Sequence, residues 1–372
     1  MIKIKELYSK YPNLFATINF LFFLYLFFLS LQMLGGSLKL FGSDFSETLI
    51  ATTTNPVIGL FIGILSTSVI QSSSSTTSIV VGMVAGGAFS SDPHTSIVLA
   101  IPIVMGANIG TSITNIIVSL PQMNRGNEFR RAFASAIVHD FFNVLSVLVL
   151  FPLQLATDFL GILATDLADV FAEVGGLHFL SPIKAITEPV VDVIKVYFVN
   201  IPWLMLVAAI LLLFVALRYM VSSLKIIVVS RAKDWFDNVL FKTAGRAFLL
   251  GLILTMLVQS SSITTSLIVP MTGAGLLTLE QIFPYTLGAN IGTTITAILA
   301  ALVTGNLAAV TVAFSHTIFN VCGIVIWWPL KKVPITMARK FGEYSVKNKL
   351  IPVAYVLIVF FIIPLSVIYL TN

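Results

Sequence analysis

Two runs of neutral hydrogen-bonding side chains interrupt an otherwise strongly apolar sequence. Gln71–Ser78 reads Gln-Ser-Ser-Ser-Ser-Thr-Thr-Ser, and Gln259–Ser266 repeats it at seven of eight positions. A lone serine in an apolar helix bonds back to its own i−4 carbonyl and needs no further role. Eight polar residues in a row would put hydroxyls all around a helix. The backbone is therefore expected to break there, buried in protein or facing a water-filled cavity. The atoms on offer define the chemistry. Neutral Gln, Ser, Thr and Asn oxygens suit small hard cations, and the free N–H groups that open a broken helix attract anions.

The charge inventory narrows this further. Between Pro56 and Leu120 the only formally charged residue is Asp92, with His94 close by, and between Ala247 and Gly305 it is only Glu280. No Lys or Arg is available there to neutralise an anion. An ion in low dielectric needs a counter-charge, so the pattern implies an anion carried together with cations.

Asp140 stands inside an apolar run, where an ionisable side chain is a functional candidate by default. Its expected role is to hold one coupling cation, with Asn143 one turn on. His139 and His316 could relay protons or tie two helices together. Gly106 and Gly110 bracket Asn108, and Gly288 and Gly292 bracket Asn290. These six are expected to serve structure or gating, the glycines by breaking helices or by close packing.

These residues need elements to hold them. The chain has 372 residues, 57% apolar and 10% charged, against about 25% charged in soluble domains, so lipid must be the solvent for much of it. Phe15–Leu34, Phe133–Leu153, Ile201–Val221 and Ile351–Leu370 are each long enough to span about 30 Å of hydrocarbon. The net charge of +5 resides in short loops, which points to membrane orientation rather than nucleic acid. Cys322 is the one cysteine, so no intrachain disulfide can form, and there is no Asn-x-Ser/Thr acceptor. Both absences suit a bacterial inner (plasma) membrane. Nothing resembles a nucleophile–base pair or a metal-ligand cluster, so an enzyme is not expected.

The motifs recur in order. Gly106–Thr114 matches Gly288–Thr296 except at one position, and His139–Val144 pairs with His316–Val321. The chain is thus a duplicated unit, 56–153 and 244–330, flanked by 1–55, 154–243 and 331–372. Lys3, Lys5 and Lys10 put the N-terminus in the cytoplasm. Loop 121–131 reads inside, the acidic segment 154–200 outside, the basic loop 222–246 inside, and 331–350 inside, which leaves the C-terminus outside. Equivalent sequences then cross in opposite directions. The expectation is an all-α membrane protein of two inverted-topology repeats. Each has a re-entrant helical hairpin and a broken transmembrane helix carrying the Gln-Ser-Ser-Ser motif, with the site near the midplane.

Taken together, Gln71–Ser78 with Gly106–Thr114, and Gln259–Ser266 with Gly288–Thr296, resemble the paired signatures of type II sodium–phosphate cotransporters. Glu128–Phe133, His139–Asn143 and Pro284–Gly288 are similar to the family as well. The resemblance implies that Gln71, Ser72, Ser73, Ser74, Ser260, Ser261 and Ser262 hold inorganic phosphate. It implies a sodium site from Gln259, Ser260, Thr293 and Thr296, with Thr111 nearby, and another sodium served by Asp140, Asn143 and Gln122. Electrogenic members carry an aspartate where this chain has Asp140. The sequence departs from the animal pattern at Thr264, Ala289 and Arg125. The function implied is electrogenic, sodium-coupled phosphate import by alternating access, with Na⁺ as coupling ion, no other cofactor, and the lipid bilayer as surroundings. The alternatives are a sodium-coupled carrier of another oxyanion and a phosphate-sensing membrane protein. A homodimer is left open.

Overall fold

The computed structural model describes residues 12–41, 55–174, 181–216 and 241–371, with the single positions 219 and 223. Among these residues there are helices and turns and no strand. Lys3, Lys5 and Lys10, and Lys225, Arg231 and Lys233 of the second basic loop, lie outside the described residues.

The breaks expected at the polar runs follow from capping chemistry. Helix α1 is Pro12–Phe41, and α2 is Pro56–Ile70. Asn55 opens α2 by accepting from the Val57 amide, with Pro56 in the first turn, where its missing N–H costs nothing. Gln71 ends α2 in the left-handed region, at φ 57°. Ser72 is extended, and its hydroxyl accepts from the Ser75 amide to open α3, Ser73–Gly86. Asp92 opens α4, Pro93–Thr111. Hydrogen bonds from the Thr95 hydroxyl and amide hold the Asp92 carboxyl below the usual carboxylate range. Ser112 joins α4 to the short α5, Ile113–Ser119. Then come α6, Asn127–Thr157; α7, Phe159–Glu173; α8, Ser181–Phe198; and α9, Pro202–Ala216.

The second half repeats the device. Helix α10, Ala244–Val258, ends at Gln259 with φ 53°, and extended Ser260 opens α11, Ser261–Gly273. Thr278 and Gln281 form a reciprocal capping box at the start of α12, Leu279–Thr304. Asn306 caps α13, Leu307–Trp327. An amphipathic α14, Lys332–Lys347, leads to α15, Leu350–Leu357, a π-helical stretch Ile358–Ile362, and α16, Ile363–Thr371.

Among the described residues six helical stretches are long and apolar enough to cross a membrane: Leu14–Leu34, Pro93–Gln122, Asn127–Thr157, Leu279–Thr304, Leu307–Trp327 and Leu350–Leu370. The protein is an all-α membrane protein. Helices α2 and α10 have 15 residues each, a length of about 22 Å, short of the hydrocarbon thickness.

Helix α2 lies against α4, and α10 against α12, at backbone contact. A Cβ on Gly106 would sit 1.9 Å from the Leu60 carbonyl oxygen, and one on Gly288 would sit 1.9 Å from that of Phe248. Only glycine fits there. The contacts advance together along both chains: Gly63 meets Ile103 and Ala107, and Gly110 meets Ile64 and Thr67. The two helices therefore run parallel, and α3 between them must turn back, which makes α2–α3 a hairpin with Gln71-Ser72 at its tip. Gly251 on Tyr285 and Gly292 on Thr255 give α10–α11 the same form.

Segment 154–200, read from its acids as lying outside, is largely helical among its described residues. Helix α7 buries Leu160, Gly161, Ala164 and Ala168 at helical spacing and packs on α13, where Phe171 meets Phe314 edge-on. Asp166, Asp169 and Glu173 point outward and stay exposed, so loop-like charge and helical packing coexist.

Candidate functional site

The two hairpin tips meet. The Ser74 hydroxyl donates to the Gln259 carbonyl at 3.0 Å. Ser73 and Ser74 at one tip and Ser261 and Ser262 at the other are all buried, none above 5% exposed. Each tip places the start of a helix at this junction, α3 from the first half and α11 from the second. The Ser72 and Ser260 hydroxyls cap the third amides, those of Ser75 and Ile263. The first two amides of each helix have no intrahelical carbonyl within reach. The junction thus offers hydroxyls and N–H groups to an anion without any basic side chain.

The tips differ in one respect. Gln71 is exposed, whereas Gln259 is buried and its side-chain oxygen has no hydrogen-bond partner. The Thr296 hydroxyl is likewise buried and unpartnered, and so is its repeat counterpart on Thr114. Unmade hydrogen bonds at buried oxygens are costly, and a small cation would satisfy them. Thr111 and Thr293 instead donate to carbonyls one turn back, those of Ala107 and Ala289, each at 3.0 Å.

Around the tips runs a chain of buried polar side chains. Asn115 Nδ2 donates to His139 Nδ1 at 3.2 Å, and His139 Nε2 meets Asn290 Oδ1 at 2.6 Å. Asn290 Nδ2 donates to Asn143 Oδ1, and Asn143 Nδ2 to the Asn108 carbonyl, both at 2.8 Å. At the other end the Thr265 hydroxyl reaches Asn115 Oδ1 at 2.9 Å. Donors and acceptors alternate along this chain only if His139 carries its proton on Nε2, which assigns the tautomer. The weaker counterpart is His316 Nε2 to Asn108 Oδ1 at 3.4 Å. Each half's histidine thus reaches the other half's asparagine. Of the two roles open to these histidines, the geometry is that of a tie.

Asp140 is fully buried in the middle of α6. Its Oδ2 accepts from the Tyr355 hydroxyl of α15, and its Oδ1 has no partner. Asn143, expected beside it on one cation, turns to Asn108 and Asn290 instead. Among the described residues no hydrogen bond joins Gln122 to Asp140 or Asn143. Its buried Oε1 is unpartnered and lies near Gly273, at the end of α11. Arg131 Nε and Nη2 both donate to the Gly273 carbonyl, at 2.9 and 2.7 Å, fastening that end of the hairpin to α6.

Reading the sequence alone missed Asn115, Thr114 and Tyr355. Asn115, with Thr114 before it, sits among Ile113, Ile116 and Ile117, which was a usable signal, and Thr114 is the repeat partner of Thr296. Tyr355 has no repeat partner and no motif, so nothing in the sequence marks it.

No solved structure matches this chain. It is 35% identical over 444 aligned positions to sodium-dependent phosphate transport protein 2B of Pongo abelii, covering 93% of this chain and 64% of that protein. It is 33% identical over 422 positions to sodium-dependent phosphate transport protein 2A of Rattus norvegicus, covering 92% of this chain and 65% of that one. The chain therefore spans just under two thirds of the length of these curated relatives. The pattern of the Na⁺/Pi-cotransporter family matches residues 26–171 and 212–331, which include both hairpins, their tips, Asp140 and the asparagine–histidine chain. With that match spanning most of the sequence, the chain belongs to the Na⁺/Pi-cotransporter family, the type II sodium–phosphate cotransporters.

Proposed function

We propose that this protein is a sodium-coupled symporter that imports inorganic phosphate by alternating access. The observation that carries the reading is the meeting of the two tips through Ser74 and the Gln259 carbonyl. One phosphate at that junction would accept hydrogen bonds from Ser72, Ser73, Ser74, Ser260, Ser261 and Ser262 and from the first amides of α3 and α11. Gln71, on the rim, would contact it as it enters. Sodium would be held by Gln259 and Thr296, whose oxygens have no other partner, together with Ser260, Thr293 and Thr111. A further sodium would be held by Asp140. The relatives' names supply the identities of anion and cation, and the lack of basic side chains at the tips supplies the need for coupling.

The two halves, 56–153 and 244–330, would be inverted repeats in an inner membrane, with the N-terminus cytoplasmic and the C-terminus outside. Hairpins too short to cross support re-entrance from opposite sides, meeting near the midplane. Helices α12 and α13 would then carry the chain out and back, leaving basic α14 in the cytoplasm. Rocking of one half against the other about the tip contact would expose the site alternately.

The test is ³²P-phosphate uptake into proteoliposomes under an inward sodium gradient. Uptake that requires sodium and is competed by unlabelled phosphate supports the reading. Uptake unchanged in choline overturns the coupling, and stronger competition by sulfate reassigns the anion.

A further inference from the structure

Tyr355 lies beyond the residues matched by the family pattern and on the most peripheral of the spanning helices. Only about 17% of the apolar stretch of Leu350–Leu370 is buried, against 89% for Pro93–Gln122, among the described residues. A helix so exposed needs no inward polar side chain, yet its one tyrosine within reach of the core ends on Asp140 Oδ2. The ring is held on several sides. Phe341 of α14 packs edge-on at 5.2 Å, Phe360 of the π-helical stretch at 6.2 Å, and Phe141 of α6 at 6.5 Å. Phe341 is itself stacked on Phe133. The π-helical turn begins three residues after Tyr355, and such insertions gather at functional positions. Ser112 flanks the carboxylate, but its hydroxyl donates to the Ile109 carbonyl.

We infer that Tyr355 is a positioning residue for cation binding at Asp140: its hydroxyl fixes one carboxylate oxygen and leaves Oδ1 turned to the ion. The inference rests on the sodium-coupled reading above. A buried carboxylate free to rotate would seek other donors, and the tyrosine prevents this with a charge-assisted hydrogen bond from a ring that cannot swing away. Helices α14 to α16, outside both repeats, thereby act on the first half's ion site. Asp140 has the neutral Thr317 as repeat partner, so this support is needed on one side only.

The experiment measures phosphate uptake against sodium concentration for the full chain in proteoliposomes, with Tyr355→Phe, Phe341→Leu, Asp140→Asn and the Tyr355→Phe/Asp140→Asn pair. Tyr355→Phe is expected to raise half-saturating sodium roughly ten-fold, the lower end for a lost hydrogen bond to a charge, with maximal uptake kept. Phe341→Leu loosens the packing around the ring while sparing the hydroxyl, and is expected to lower the melting temperature while raising half-saturating sodium by much less than Tyr355→Phe does. In the Asp140→Asn background Tyr355→Phe should add nothing further. Unchanged sodium dependence in Tyr355→Phe, or an equal shift in Phe341→Leu, would overturn the inference. Wild-type uptake that ignores sodium would instead remove the reading beneath it.

Discussion

The Ser74 hydroxyl and the Gln259 carbonyl, 185 residues apart, are joined by a 3.0 Å hydrogen bond between the tips of two hairpins. Both flanking glutamines adopt the same left-handed conformation, and both following serines are extended with φ near −150°. Two local breaks built to one pattern thus face each other across the junction. This gives an anion two helix starts at once, and makes the tip serines the first target for mutation.

Ser74→Ala and Ser262→Ala are each expected to abolish sodium-dependent phosphate uptake while leaving a folded protein. The Ser74 change also removes the tip contact, a loss of about 1 kcal/mol in stability. Ser262 shares in no such contact, so its variant should melt with the wild type. Uptake by Ser262→Ala at the wild-type rate would count against phosphate at the tips.

The His139–Asn290 pair, fully desolvated at 2.6 Å, should behave as a structural tie between the halves. His139→Leu leaves Asn290 and Asn115 without their partner and should lower stability by about 1–3 kcal/mol. His316 makes only a 3.4 Å contact, and its Nδ1 is already unpartnered, so His316→Leu should lower it less. Thermal unfolding in detergent ranks the two, and the reverse order would discount the tie.

Gly106→Ala and Gly288→Ala place a methyl group inside 2 Å of a carbonyl oxygen. No side chain can move aside to relieve this, so each should lose about 3 kcal/mol or more, at or beyond the upper end for overpacking. Gly245→Ala, with nothing within 4 Å of the added Cβ, should stay within about 0.5 kcal/mol of the wild type. Expression level and melting temperature in detergent give the comparison.

Asp140→Gly should reduce the charge moved per phosphate, because the buried carboxylate holds one coupling cation in the proposed scheme. Current and ³²P uptake recorded together across one sodium gradient measure the ratio. A ratio identical to the wild type removes Asp140 from the coupling.

The sequence by itself determined the membrane class, three of the spans (those around Phe15–Leu34, Phe133–Leu153 and Ile351–Leu370), the repeated motifs, and the places where the helices break; of the expected span Ile201–Val221 the described residues show the shorter helix Pro202–Ala216. These are local properties: apolar run length, capping residues, and a polar run in which a serine can cap the start of a new helix. It also exposed the glycines, though it left open whether they bend helices or let two of them touch. Only the tertiary structure decided who meets whom. His139 bonds an asparagine 151 residues away in the other half, and Asn143 joins that chain rather than Asp140. The acidic stretch after Thr157 became helix α7 because a small-residue face found α13 to cover it. Asp140 found its donor 215 residues on, in a helix with no repeat partner to announce it. Partner choice over such separations is set by how packed helices bring faces together, and neighbouring residues carry no record of that.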